Sequence, residues 1–137
     1  MPLDEDILFA RLGSARTSHP VEYAEILAVL DGAVVEVVFR SGTIAYSPAR
    51  GRPGRIILDC EASIGALRHE YQHFLDHRDA GFPGFRPYLE DPNLFARIEV
   101  RGYLREIQTA RETGHVELVT DLIEQMRDRV RELLGGD

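Results

Sequence analysis

The sequence predicts a single α+β domain spanning residues 1–137. Three short segments rich in β-branched residues lie in the first half of the chain, and long segments with helical periodicity dominate the second half. Strands that come early and helices that come late are typical of an α+β arrangement. With 44% hydrophobic residues, a chain of this length can bury one modest core. We therefore expect a small sheet of about three strands, one N-terminal helix, and three helices after the sheet.

The first half of the chain supplies the N-terminal helix and the sheet. Apolar residues at helical spacing predict a helix at 20–31, which ends at an Asp-Gly pair. Runs of β-branched residues bounded by turn residues predict strands at 33–39, 42–48 and 55–59. We expect the Arg-, Gly- and Pro-rich segment 49–55 to form a loop.

The second half of the chain is predicted to be helical. Periodic apolar residues indicate helices at 61–77, at about 93–112 and at about 116–134. The segment 80–92 is rich in glycine and proline and is expected to be a loop. The order of these segments places one helix directly after the sheet.

Composition excludes several classes of function. The net charge of −7 argues against a nucleic acid as partner. The sequence contains no run of about 18 apolar residues, so no membrane-spanning helix is expected. The N-terminus carries acidic residues where a secretory signal would carry positive charge, so no signal peptide is expected. Cys60 is the only cysteine, so no internal disulfide can form, and we expect it to be a buried structural residue.

The helix predicted at 61–77 contains the motif His-Glu-Tyr-Gln-His. His69 and His73 are four residues apart and share one helix face, with Glu70 at the edge of that face. The apolar arc of the helix lies on nearly the opposite side and consists of Ile64, Leu67, Tyr71, Phe74 and Leu75. Two imidazoles so placed can reach one metal ion, whereas the alternatives are solvated histidines or a surface hydrogen-bond network.

A catalytic zinc site needs a third protein ligand. His77 extends the histidine face, but eight residues of helix rise about 12 Å, so it cannot join the other two histidines at one ion. His19 and His115 lie in flanking segments and are expected at the surface. Glu99, on the next helix, lies at the margin of an apolar stripe, where a carboxylate needs a partner. The partner of Glu99 is then either the metal or an arginine one turn away.

The two helices are predicted to pack against each other. Gly102 lies between Glu99 and Glu106 and would let the helices approach closely, while the role of Glu106 stays open. The residues expected to form this contact are Leu67, Tyr71, Phe74, Val100 and Ile107.

The motif and Glu99 resemble the zinc site of gluzincin-type metallopeptidases. The segments HEYQHFLDHRDAGFPGFRPYLEDP and EVRGYLREIQTAR resemble the compact zincin-like metallopeptidase domains that are C-terminal effectors of bacterial polymorphic toxins. The resemblance covers about residues 55–112. It implies that His69, His73 and Glu99 bind Zn²⁺ and that Glu70 is the catalytic carboxylate. Tyr103 falls at the E-x-x-x-Y position of the second helix.

The expected chemistry follows from these residue types. Two imidazoles and one carboxylate leave an open position on zinc, where a bound water becomes acidic enough to attack a carbonyl near neutral pH. Glu70 then takes the proton of the water and delivers it to the leaving amine. Tyr103 either donates a hydrogen bond to the developing oxyanion or only packs in the core. Asp76 and His77 either orient a ligand imidazole or are ordinary residues at a helix end.

The sequence thus predicts a zinc-dependent metallopeptidase, and the resemblance implies that it is a bacterial toxin effector domain. Its partners would be a peptide or protein substrate, bound along the edge formed by residues 42–48, and an immunity or inhibitor protein. Its expected location is the bacterial cytoplasm or a target reached by a specialised secretion route. The alternative is a catalytically inactive zincin-like module that binds metal or protein. The intact Glu70 favours the enzyme, because a purely structural site has no use for a base there.

Overall fold

The computed structural model describes residues 1–135, so residues 136 and 137 of the predicted domain lie outside the described part. Within residues 1–135 there are seven α-helices, three strands and two short 3-10 turns, which confirms the α+β class. The helices are α1 (Phe9–Leu12), α2 (Ala15–Ser18), α3 (Pro20–Gly32), α4 (Ile64–Asp79), α5 (Arg86–Glu90), α6 (Pro92–Glu112) and α7 (Val119–Leu133). The strands are β1 (Glu36–Phe39), β2 (Ile44–Ala49) and β3 (Arg52–Leu58), and the 3-10 turns are Leu3–Glu5 and Val116–Leu118.

The three strands form one mixed sheet in the order β1-β3-β2. Strand β3 pairs in parallel with β1 and antiparallel with β2, so β2 is an edge strand. The loop predicted at 49–55 is wrong in extent, because β3 already begins at Arg52. Gly51 has φ of 74°, a left-handed conformation that lets the chain reverse within a tight turn. A side chain at Gly54 would overlap the backbone of Ser47, so the two strands meet closely there.

Two apolar clusters hold the elements together. In the first, the apolar face of α4 packs against the sheet, and its fully buried members include Leu30, Ile44, Ile56, Leu58, Leu67 and Phe74. The second joins the N-terminal segment to α6 and α7 and consists of Leu8, Ile107, Ala110, Leu118 and Leu122. Helix α4 therefore lies with one face on the sheet, and its other face is free to meet α6.

The predicted contact between α4 and α6 exists, but Leu67, Tyr71 and Phe74 do not form it with Ile107. Leu67 and Phe74 are buried in the sheet cluster, and Ile107 is buried in the cluster with α7. The two helices instead meet through polar pairs, among them Arg68 with Thr109 at 2.8 Å. The apolar stripe of α4 packs against the sheet, so the histidine face of α4 turns toward α6.

Local sequence explains where the site helices begin. The Ser63 side chain accepts a hydrogen bond from the Ala66 amide, and the Asp91 side chain accepts one from the Leu94 amide, so each caps its helix. The loop predicted at 80–92 contains the five-residue helix α5, so four α-helices rather than three follow the sheet. Cys60 is half-buried rather than buried. No described helix combines the length and the apolar character that crossing a membrane requires.

Candidate metal centre

The predicted ligands His69, His73 and Glu99 form one cluster. One donor atom of each lies within 4.8 Å of the donor atoms of the other two. His73 Nε2 is 2.8 Å from Glu99 Oε1 across the contact between α4 and α6. The i, i+4 spacing on α4 puts both imidazoles on this side, and their ring centroids are 4.7 Å apart. His19 and His115 lie outside this cluster.

A glycine makes room for the site. If Gly102 carried a Cβ, that atom would lie 2.5 Å from Nε2 and from Cδ2 of His69. Real Cβ atoms do not approach other atoms so closely, so any side chain at this position would push the imidazole away. The close helix approach expected from Gly102 is confirmed, and the glycine serves His69 directly.

Glu106 is the residue that the sequence left without a role. It is fully buried, and its Oε2 is 2.7 Å from Nδ1 of His69. A carboxylate on Nδ1 fixes the orientation of the ring and leaves Nε2 as the donor for a metal. Burial, together with the nearby carboxylates of Asp6, Glu70 and Glu99, raises the pKa of Glu106 well above its ordinary value.

The two histidines differ in charge. Burial lowers the pKa of His69 to about 4, so its imidazole is neutral at physiological pH. Burial also opposes the charged form of His73, but the hydrogen bond with Glu99 and the charge of Glu70 outweigh it and raise the pKa of His73. Without a metal, the raised pKa of His73 favours an ion pair with Glu99. Burial would raise the pKa of Glu99, but the hydrogen bond and charge of His73, together with the charge of Arg129, outweigh burial and lower this pKa to about 2.

Glu70 lies beside the cluster and is not one of its three members. Its Oε1 accepts a hydrogen bond from the Tyr46 amide of β2 at 2.8 Å. Its Oε2 is 3.9 Å from His69 Nε2. The sheet edge therefore holds one oxygen of Glu70, and the second oxygen faces the donor cluster.

Tyr103 lies against the same imidazole. Its ring is in edge-to-face contact with His69 at a centroid distance of 4.7 Å. Burial and the charges of Glu106 and Glu99 raise the pKa of Tyr103, so its hydroxyl stays protonated and can donate a hydrogen bond.

All five predicted site residues line one cleft with a volume of about 430 Å³. One wall is aromatic: Phe85, Tyr88 and Phe95 contact one another with centroid distances of 5.5–5.9 Å. The cleft thus combines a polar cluster of donors with an apolar wall, as small-molecule and peptide sites commonly do.

The two residues suggested to orient a ligand do not contact one. His77 Nδ1 is 2.6 Å from the Tyr46 hydroxyl, and its Nε2 accepts a hydrogen bond from the Gly84 amide. Asp76 accepts hydrogen bonds from Arg101 and Gln72. The orienting contact comes from Glu106, seven residues after Glu99 and so two helical turns along the same face.

The donor set fits a zinc ion. Zinc in catalytic sites commonly takes two histidine nitrogens and one carboxylate oxygen, and this is the chemistry of the three clustered side chains. The carboxylate on His69 Nδ1 is the usual support for a metal-bound imidazole. That zinc binds here stays a prediction.

Comparison of the chain with protein-family models, with curated proteins and with solved structures gives no match in any of the three.

Proposed function

We propose that this chain is a zinc-dependent metallopeptidase built on a minimal zincin-like layout. The observation that carries the proposal is one cleft in which a His/His/Glu donor set lies beside a second carboxylate, that of Glu70, which the Tyr46 amide holds separately. A structural zinc would usually be closed by a fourth protein ligand, and within residues 1–135 only His69, His73 and Glu99 group in this way.

His69, His73 and Glu99 would hold the ion. Bound zinc would acidify a water molecule and polarise the carbonyl of the substrate. His69 needs no deprotonation to act as a ligand near neutral pH, because burial already keeps it neutral. Glu106 keeps the His69 ring in place, and Arg129, 3.3 Å from Glu99 Oε2, holds the second oxygen of that carboxylate.

Glu70 is the proposed general base. The Tyr46 amide fixes its Oε1, so Oε2 remains to accept a proton from water and pass it to the leaving amine. Because Tyr46 belongs to the edge strand β2, a peptide added to this edge would run directly past Glu70. Tyr103 would donate a hydrogen bond to the oxygen that gains negative charge.

We further propose that the activity is that of a bacterial toxin effector, with a protein substrate and an immunity or inhibitor protein as partners. The support for this narrower role is the resemblance of residues 55–112. The charge of −7 agrees with a protein rather than a nucleic acid as the target.

The test is to compare wild type with Glu70→Gln, both loaded with zinc. Glutamine has nearly the shape of glutamate but cannot accept the proton, so hydrolysis of an unfolded protein should fall by about 10²–10⁴-fold at unchanged zinc content. Glu132→Gln, at another cleft-lining glutamate whose side chain is 70% exposed, is the matched control and should retain activity.

Growth of bacteria that express the domain is the second readout of the same comparison. A toxic wild type beside a harmless Glu70→Gln supports a hydrolytic effector. If the two proteins hydrolyse substrate and inhibit growth to the same extent, the metal site is not hydrolytic, and the inactive binding module replaces this proposal.

A further inference from the structure

The first residues of the chain extend the sheet. Met1–Leu3 run antiparallel to β2, with Pro2 opposite Thr43. The Ile44 amide donates to the Met1 carbonyl at 3.0 Å, and the Leu3 amide donates to the Gly42 carbonyl at 2.9 Å. The Thr43 hydroxyl adds a bond of 2.9 Å to the Met1 carbonyl. The segment Met1–Leu3 therefore occupies the outer edge of β2 as a short additional strand.

The same edge of β2 holds Glu70. Alternate residues of a strand direct their backbone groups to the same side, so the amides of Ile44 and Tyr46 both point away from β3. Met1 accepts from the first amide and Glu70 from the second. Two residues of strand separate these positions, a distance of about 7 Å. Met1 and Pro2 also line the cleft with the donor cluster.

Hydrogen bonds to this edge and the packing of Met1 and Leu3 against the apolar cluster of the sheet hold the segment. The chain is anchored independently just after it. The Asp6 carboxylate accepts hydrogen bonds from the Ser63 amide at 2.7 Å and from the Ser63 hydroxyl at 2.6 Å. Leu8 is fully buried, and the Gln125 side chain donates to the Glu5 carbonyl. None of these anchors uses residues 1–3, so departure of the segment would break its own contacts with β2 and the apolar cluster and leave the anchors in place.

We propose that Met1–Leu3 competes with the substrate for the edge of β2 and leaves it when a long peptide binds. This inference rests on the proposed peptidase function. A peptide that follows the direction of Met1–Leu3 has its C-terminal side toward Met1. About two of its residues fit between Glu70 and Met1, and each further residue on that side requires displacement of the segment. Substrates cut near their C-terminal end are therefore favoured.

The test uses two peptides that differ only in length after the cleaved bond, with two residues in one and six in the other. Their affinities are measured by fluorescence anisotropy on zinc-loaded Glu70→Gln protein, which does not consume them. Leu3→Pro is added to remove the amide that bonds Gly42, at the start of a 3-10 turn where proline is tolerated. Leu3→Ala is the matched control, because it truncates the same side chain and keeps the amide.

Relative to Leu3→Ala, the Leu3→Pro protein should bind the long peptide about two- to tenfold more tightly and the short one equally, since one net hydrogen bond contributes about that factor. Thr43→Val against Thr43→Ser repeats the comparison for the hydroxyl bond if Leu3→Pro does not fold. In the Glu70→Gln protein, amide exchange at Leu3 should speed up with the long peptide only.

The inference is overturned if binding affinity depends on peptide length equally in each variant and its control. It is also overturned if the Leu3 amide stays protected from exchange while the long peptide is bound. Failure of both peptides to bind overturns it as well. Peptides that bind with this length dependence but are not hydrolysed by the wild type support the competition and count against the peptidase alone.

Discussion

The two histidines of α4 are four residues apart and have opposite surroundings. His69 is 2% exposed, is neutral, and contacts a fully buried carboxylate whose pKa is raised. His73, whose side chain is 12% exposed, has a raised pKa and lies 2.8 Å from Glu99, which Arg129 also contacts. One half of the site is therefore fixed by packing and the other by charge. A metal therefore finds His69 already neutral and ready as a ligand, whereas the raised pKa of His73 makes protons compete with the metal for that imidazole.

Removal of each histidine in turn should give the largest effect and separate the two halves. Both His69→Ala and His73→Ala remove a ligand, so zinc affinity should fall more than the 10–100-fold typical of losing an orienting contact. His69→Ala also leaves Glu106 buried without its partner and should cost about 1–3 kcal/mol of stability. His73→Ala leaves Glu99 with Arg129 and should cost less.

Metal titration with a competing chelator and urea unfolding of the metal-free proteins measure the two effects. Tight zinc binding retained by both variants together would place the site elsewhere. Equal losses of stability in the two variants would contradict the difference between the halves.

Gly102→Ala is expected to disturb the packed half selectively. The added Cβ would lie 2.5 Å from the His69 ring, so the helices must separate or the ring must move, at a cost of about 1–3 kcal/mol. Gly32→Ala is the control, because nothing lies within 4 Å of its Cβ position. Thermal unfolding compares the two variants. A Gly102→Ala protein as stable as Gly32→Ala would mean that His69 is not tightly confined.

The charged half should make the stability of the metal-free protein depend on pH, with the smallest effect of the series. The pKa of His73 is raised by folding, so its contribution is complete below about 6.5 and is lost as pH rises through the folded value. The pKa of Glu99 is lowered to about 2, so its contribution is present above about 4.5 and is lost as pH falls toward 2.

Urea unfolding with chelator should therefore show the contribution of the pair complete between about pH 4.5 and 6.5 and falling as the pH rises from 6.5 to 8.5. Glu99→Gln should reduce this dependence and not abolish it, because the raised pKa of Glu106 also makes stability fall as the pH rises. A loss of stability on going from pH 8.5 to pH 6 in the wild type, absent from Glu99→Gln, would contradict the charge assigned to His73.

Periodicity in the sequence was enough to predict much of this arrangement. The spacing of His69, Glu70 and His73 predicts a shared face, and the position of Glu99 at an apolar margin predicts that it meets a partner on another helix. Gly102 similarly predicts a close approach. Each of these statements depends only on the angle between residues on one helix, which the sequence determines.

The contacts that depend on how elements cross could not be predicted in the same way. Glutamate is usually a surface residue, and the burial of Glu106 follows only from the place where α6 crosses α4. The sequence predicts that the apolar stripe of α4 packs against α6, but in the structure this stripe packs against the sheet. The short helix α5 and the extra strand Met1–Leu3 contain too few residues to show a period.

The most direct test of a zinc site at His69, His73 and Glu99 is a crystal structure of the zinc-loaded protein with anomalous data at the zinc edge. One zinc peak should lie about 2.0–2.2 Å from Nε2 of both histidines and from an oxygen of Glu99. Glu70 should remain outside the coordination sphere, and Glu106 should remain on His69 Nδ1. A peak elsewhere, or a zinc bound directly by Glu70, would contradict the account.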